Sequence, residues 1–235
     1  CKLPGIVFMA RYVDDIIIVA HPDLDDEHQW SLDDYLKALT NTYIEHGLKI
    51  HTPIDGTNKC YTYDSKDTKN LKFDLLGYTI QTLKENKDRQ GFFSLSRNRK
   101  QKIHNRITKT FQKFDSLLNT ASYDVAAHYL FDALHVLTCN INLYNAKRGV
   151  KVGIFYSNQL LDNIKDLVGL DRYIQYRCEQ MSLKGKAGVN PVKQPQIEVT
   201  LKKQLEQISF VKGYDTHKRY KIKKSRLQMI KQSWV

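Results

Sequence analysis

Tyr12-Val13-Asp14-Asp15 places two adjacent carboxylates between two apolar runs, Gly5 to Ala10 before them and Ile16 to Ala20 after them. The arms are short and rich in β-branched residues, so each reads as a buried strand. Only Arg11 and the Tyr-Val-Asp-Asp tetrapeptide lie between them, which demands a tight reversal, and aspartate is well tolerated at turns. Two acids at a rigid corner suit phosphoryl or nucleotidyl transfer. In that chemistry a pair of Mg²⁺ ions, roughly 3.5–4 Å apart, stabilises the attacking and leaving oxygens of an in-line displacement. Mg²⁺ takes hard carboxylate oxygens and keeps waters that substrate phosphates replace. Like charges this close are unfavourable unless a cation lies between them. The alternative is that Asp14 and Asp15 are ordinary turn residues, because a tetrapeptide alone is a weak signal.

The charge distribution says what such a corner would act on. The 235 residues carry a formal net charge of +12. Residues 1–92 hold 11 Lys/Arg against 15 Asp/Glu, residues 93–183 hold 13 against 7, and residues 184–235 hold 13 against 3. Acid therefore collects around the hairpin and base downstream of it, so a polyanion held by the basic part could present its reactive end to the acidic part. Membrane phosphates would satisfy the same charges, yet no strongly amphipathic Lys/Arg helix with a Trp/Phe face accompanies them. No apolar run approaches the ~20 residues that span a bilayer. Cys1, Cys60, Cys139 and Cys178 are few and widely spaced, which suggests neither a disulfide framework nor a zinc site and makes a reducing cytoplasm the expected compartment. His135 and Cys139, four apart, are either half a metal site or a core pair. The chain opens on Cys1 and runs within a few residues into a strand, which reads as a cut inside a domain.

The elements that must position the acids follow in order. His21-Pro22 and the acidic Asp23 to Glu27 read as a loop. Ser31 caps a helix with Asp34 completing a capping box, Leu32, Tyr35, Leu36, Leu39 and Tyr43 keep helical spacing, and Gly47 marks the stop. A turn at Pro53 to Gly56, a strand at Cys60 to Tyr63 and another over Lys72 to Ile80, bent at Gly77, complete the first segment. From about Phe92 the character changes to long helices. Ser96 caps one that runs to about Asn119, with the seam Ile103, Ile107, Phe111, Phe114 and Leu118. Arg99, Lys102, Arg106, Lys109 and Lys113 form a basic stripe beside that seam. A second helix is predicted over about Tyr123 to Asn145, a third around Leu160 to Val168, and a fourth capped by Asp171. Helices in a bundle with such a stripe would grip a duplex by its phosphates. Lys184 to Gln196 reads as a linker. Beyond it, Leu201, Leu205 and Ile208 suggest a helix, Tyr220 to Ile222 a short strand, and Leu227 to Trp234 a last helix. Tyr214 and Tyr220, set among lysines and arginines, either stack on nucleobases or anchor a small core.

Taken together, Arg11-Tyr12-Val13-Asp14-Asp15 with its following strand, Gly47-Leu48-Lys49-Ile50 after a capped helix, and Phe73-Asp74-Leu75-Leu76-Gly77-Tyr78 resemble the later half of a reverse transcriptase. The first resembles the family's metal-binding hairpin, the second the segment after it, and the third the primer-grip strand of bacterial, retron and group II intron enzymes. Ser94-Leu95-Ser96 with Lys100, Lys102 and Ile103 is similar to the start of the thumb in bacterial antiviral and abortive-infection reverse transcriptases. Val152 to Asn158 and Leu227 to Trp234 are similar to stretches of some of those proteins.

The resemblance implies an α+β fold. A partial polymerase palm (residues 1–92: an antiparallel hairpin and strands with one packed helix) would precede an α-helical thumb bundle (93–183) and a small basic C-terminal extension (184–235). It implies Asp14 and Asp15 as catalytic ligands of a two-metal Mg²⁺ site, completed by an aspartate upstream of this chain. Tyr12 would lie beside the primer end or incoming nucleotide, Leu76, Gly77 and Tyr78 would support the primer, and Lys59, with Lys49 as runner-up, would neighbour the triphosphate. Arg99, Lys102, Arg106, Lys109 and Lys113 would meet the nucleic-acid backbone. The implied partners are an RNA template, a DNA product and dNTPs, and the implied role is RNA-directed DNA synthesis in cytoplasmic antiphage defence. The family's fingers and remaining palm precede this hairpin, so the isolated chain is expected to bind nucleic acid without polymerising. Two alternatives stay open, a non-catalytic nucleic-acid-binding or assembly module and an untemplated DNA polymerase of abortive-infection type.

Overall fold

A computed structural model describes residues 3, 5–13, 15–21, 30–57, 59–64, 70–85, 88–144 and 149–235. Among these the chain is mixed α+β, with seven helices and three small sheets. It divides into two compact units, Cys1–Phe92 and Phe93–Val235.

In the first unit, β1 (Ile6–Tyr12) pairs antiparallel with β2 (Asp15–Ala20), with a register shift between Ile6 and Phe8. Gly5 closes the base. Its φ of +62° and the His21 carbonyl, which a Cβ would strike, leave room for no side chain, and the His21 amide donates to the Gly5 carbonyl at 2.7 Å. The arms were expected to be buried, but Val7, Phe8 and Met9 are each more than half exposed. The reason is topological: among the described residues the ribbon pairs with no third strand, and a two-stranded ribbon has two faces to cover.

Helix α1 (Leu32–Glu45) begins as the sequence predicts. The Ser31 side chain accepts from the Asp34 amide at 3.2 Å and the Asp34 carboxylate accepts from the Ser31 amide at 2.9 Å. Its buried Tyr35 packs at a tilt against the Trp30 ring, with centroids 5.2 Å apart, and brings its hydroxyl against Gly5. The acidic loop 23–27 lies outside the described residues.

The strand predicted over Lys72 to Ile80 is instead a hairpin. β3 (Leu71–Leu75) and β4 (Tyr78–Glu85) pair antiparallel, Leu75 opposite Tyr78, through a two-residue turn at Leu76-Gly77. Both turn residues have positive φ, +50° and +82°, which matches the twist of the flanking strands. β5 (Asp88–Leu95) adds to β4 as the third strand. Cys60 to Tyr63 is not a strand; Tyr61 and Tyr63 pack their rings on Phe73 instead of pairing their backbone.

The second unit is built on α2 (Arg97–Thr120) and α3 (Tyr123–Thr138), capped by Ser96 and Ser122. Ile107, Phe111, Phe114 and Leu118 are buried along the α2 seam, and they meet Leu130 and Leu134 of α3. Helix α3 ends seven residues earlier than the periodicity predicts. After Thr138 the chain turns extended at Cys139 and becomes β6 (Asn140–Tyr144), paired with β7 (Gly149–Gly153). Asn140 causes the change. Its buried side chain donates to the carbonyls of Gly213 (3.3 Å) and Lys218 (3.2 Å) and accepts from the amides of Phe155 (2.9 Å) and Tyr156 (3.4 Å), a set that a helical Asn140 would forfeit.

The third and fourth predicted helices are one, α4 (Lys165–Glu179). Asp171 lies inside it and caps a different helix, α6 (Phe210–Asp215), by accepting from the Phe210 amide at 2.6 Å and the Ser209 hydroxyl at 2.6 Å. The predicted linker is docked chain: Gly188 donates to the Leu118 carbonyl at 2.8 Å, and α5 (Gln194–Leu205) already begins within it. Leu183, Val189, Leu201, Leu205, Ile208 and Phe210 join the core of α2, α3 and α4, so residues 184–235 share one core with 93–183. Tyr220 to Ile222 forms no strand; a single parallel bridge joins Asn140 to Arg219. Helix α7 (Lys224–Gln232) closes the unit against Tyr129 and Ala133 through Ile230.

Candidate functional site

At the tip of the first hairpin Tyr12 pairs with Asp15, so the chain reverses within two residues. Val13 adopts φ +54°, a left-handed conformation that β-branched residues rarely take. The Arg11 guanidinium holds it there, Nε donating to the Val13 carbonyl at 2.9 Å. Strain at such a corner is tolerated where the surroundings enforce it and marks positions worth testing for function. Tyr12 is 65% exposed and Asp15 is exposed, with no ion pair to Asp15 among the described residues. Asp14 lies outside the described residues. An exposed carboxylate without a basic partner is a hard oxygen donor, which fits Mg²⁺. Among the described residues no three His, Cys, Asp or Glu side chains converge.

Leu76 and Gly77 form the tip of the second hairpin, and Leu76 is 45% exposed in spite of its apolar side chain. Tyr78, one residue on, is buried. Lys49 and Lys59 are both exposed. Between them Asp55 organises the loop, accepting from the Thr57 hydroxyl at 2.6 Å, the Thr57 amide at 2.9 Å and the Thr52 amide at 3.1 Å, with His51 Nδ1 at 2.8 Å. The Thr57 hydrogen bonds, followed by those from His51 and Thr52, hold the Asp55 carboxyl well below the usual range.

The basic stripe of α2 divides into two kinds of residue. Lys102 and Lys113 are exposed and make no side-chain hydrogen bond or ion pair among the described residues. Arg99, Arg106 and Lys109 are engaged within the chain. Arg99 donates to the Ser157 carbonyl at 2.7 Å, the Arg106 guanidinium lies 5.3 Å from the Trp234 ring centroid, and Lys109 Nζ donates to the carbonyls of Trp234 (3.0 Å) and Val235 (2.5 Å). Trp234 therefore rests on the middle of the stripe.

The two tyrosines left open by the sequence anchor packing. Tyr214 donates to the Asn158 carbonyl at 3.2 Å and packs against the core, whereas Tyr220 stacks on His135 at 4.7 Å and donates to Asp132. Burial and that hydrogen bond to Asp132 push the Tyr220 hydroxyl well above its ordinary pKa. His135 is thus a core residue, its Nδ1 2.8 Å from the Phe131 carbonyl, and burial lowers its pKa. Burial raises the Cys139 thiol and pushes Cys178 up to about 12, so neither is a ready thiolate.

Two carboxylates that the sequence reading passed over, Asp162 and Asp166, are structural, as is Asp171, which the sequence assigned to a helix of its own. Asp162 accepts from the Phe93 amide at 2.6 Å, Asp166 from the Leu95 amide at 2.7 Å and from Lys100 Nζ at 3.0 Å, and Asp171 caps α6. The first two satisfy the outer edge of β5, a long-range pairing that leaves no local signature. Among the described residues no helix is long and apolar enough to cross a membrane. Compared with protein-family models, curated proteins and solved structures, the chain matches none.

Proposed function

We propose that the chain is the palm-and-thumb portion of an RNA-directed DNA polymerase, working by two-metal nucleotidyl transfer within a polypeptide that also carries fingers and the remaining palm, in antiphage defence. The observation that carries the reading is the Tyr12–Asp15 register at the tip of an exposed antiparallel ribbon, with Val13 held left-handed and the Asp15 carboxylate free of any ion pair among the described residues. Asp14 and Asp15 would hold Mg²⁺, which when bound neutralises the charge that develops on the transferring phosphoryl group. Tyr12 projects from the same tip and would flank the primer end or the incoming dNTP. Leu76 and Gly77 would support the primer strand, and Lys59 would neighbour the triphosphate. Lys102 and Lys113, exposed on one face of α2, would meet backbone phosphates of the RNA–DNA duplex. The apolar arms of β1 and β2 would be covered by the upstream palm.

A second reading rests on the engagement of Arg106 and Lys109 with Trp234: a module that binds nucleic acid without catalysis needs only the remaining exposed cations. Titrating Mg²⁺ into a primer-extension reaction, with the longer polypeptide, a primed RNA template and dNTPs, separates the two. A polymerase gives incorporation that rises from zero with Mg²⁺. A binding module retains the template at every Mg²⁺ concentration and incorporates nothing.

A further inference from the structure

Between α3 and the start of α7 lies a cavity of about 450 Å³, within the size range of small-molecule sites. Its polar wall is His128, Lys221, Lys223 and Arg226, and its apolar wall is Val125 and Ile222. The one carboxylate on the lining, Asp132, is already committed: it accepts from Arg226 Nε at 2.7 Å and from the Tyr220 hydroxyl. Lys221 and Lys223 are exposed and make no side-chain hydrogen bond or ion pair among the described residues. Arg226, oriented by Asp132, keeps further N–H donors in its planar fork, the geometry that matches phosphate oxygens. Three cations against one carboxylate leave a net positive local potential that an anion would satisfy. The first turn of α7, which has no side-chain cap at Lys223, adds partial positive charge at the same rim.

The cavity is larger than a phosphate ion needs. Val125 is 48% exposed, and with Ile222 it offers an apolar surface beside the cations, while the exposed His128 ring is held by Nδ1 at 2.7 Å from the Asp124 carbonyl. We infer that this cavity binds the phosphate monoester of a nucleotide, with Lys221, Lys223 and Arg226 on the phosphate and Val125, Ile222 and His128 against the base or sugar. This inference does not depend on the polymerase reading.

Isothermal titration of the full 235-residue chain in EDTA, at low salt, tests it without any contribution from divalent metal at the hairpin. The probes are adenosine 5′-monophosphate, inorganic phosphate, and a short oligonucleotide with either a 5′-phosphate or a 5′-hydroxyl. The variant is Lys221→Ala with Lys223→Ala, which removes two exposed side chains and leaves the Asp132–Arg226 pair intact. The inference expects the monophosphate to bind more tightly than inorganic phosphate and to lose at least tenfold in the double variant. If the free nucleotide binds, the ligand is a mononucleotide; if only the 5′-phosphorylated oligonucleotide binds, it is a strand end, and either result upholds the site. Absence of binding by both, equal affinity for inorganic phosphate and nucleotide, equal affinity for the two oligonucleotides, or indifference to the double variant overturns it. Asp15→Asn should leave this binding unchanged, so failure here and failure of the catalytic reading are told apart.

Discussion

The indole Nε1 of Trp234 donates to the hydroxyl of Thr110 at 2.9 Å, which pins the segment after α7 to the middle of α2. Thr110 is fully buried and its hydroxyl also donates to the Arg106 carbonyl, so the bond sits at the centre of the α2 surface that carries the basic stripe. Trp234→Phe should cost about 1 kcal/mol, the net worth of one buried hydrogen bond, and Trp234→Ala about 3 kcal/mol through the lost ring contacts. Urea unfolding measures both. If the stripe meets phosphates, Trp234→Ala should also free Arg106 from its ring contact and steepen the salt dependence of nucleic-acid binding by about one unit of log–log slope.

Asn140 joins β6 to the loop after β7 and to the α6 region through four side-chain hydrogen bonds. Asn140→Leu removes the Asn140 side-chain donors from the Gly213 and Lys218 carbonyls, which keep backbone amide donors, and leaves the Phe155 and Tyr156 amides without this acceptor, and it should destabilise the second unit by about 3 kcal/mol. Gly213→Ala should be as severe, because the added Cβ would strike the Thr138 carbonyl. Thermal melts of the two variants check this; a melting temperature within a degree or two of the parent's would contradict it.

Acid should weaken the second unit. Burial lowers the pKa of His135, and burial together with Lys100 lowers that of His104, so the fold favours both neutral rings. The unfolded chain takes up protons around pH 6.5, so this stability is complete above that value and is lost as pH falls through the folded pKa values. Urea midpoints at pH 7.5 and 5.5 should therefore differ, with the lower at pH 5.5. His135→Phe, which keeps the stack on Tyr220, should reduce the difference.

The two units should differ in local stability. Among the described residues the buried apolar ones of the first are few, Tyr35 and Tyr78, whereas the second gathers a continuous core from five helices and their connections. Amide exchange should thus be much faster in β1 and β2 than in α2 and α3. Equal protection would mean that the ribbon is covered in solution.

What could be read from the sequence was local. Ser31 with Asp34, Ser96, the α2 seam from Ile107 to Leu118 and the tight turn between Tyr12 and Asp15 each announce themselves within a few residues, because caps, 3.6-residue spacing and two-residue turns are short-range physics. What could not be read depends on distant partners. The periodicity of α3 continues past Thr138 into Ile141, yet Asn140 finds its acceptors 73 and 78 residues away and ends the helix. Asp171 resembles a cap for its own segment and caps α6 instead, 39 residues on. Gly188 belongs to a stretch rich in Gly and Pro, but a Cβ there would meet the Ala121 carbonyl, so the glycine serves close docking and not a flexible link. At the hairpin the sequence located Tyr12 and Asp15, whereas their exposure, the left-handed Val13 and the occupation of Arg106 and Lys109 by Trp234 required coordinates.

The most direct measurement is primer extension by the longer polypeptide bearing Asp14→Asn with Asp15→Asn, read beside template binding by the same preparation. Loss of at least a thousandfold in Mg²⁺-dependent incorporation with template affinity kept within about threefold is the result that two metal-holding carboxylates predict. Incorporation that survives the double substitution would contradict it.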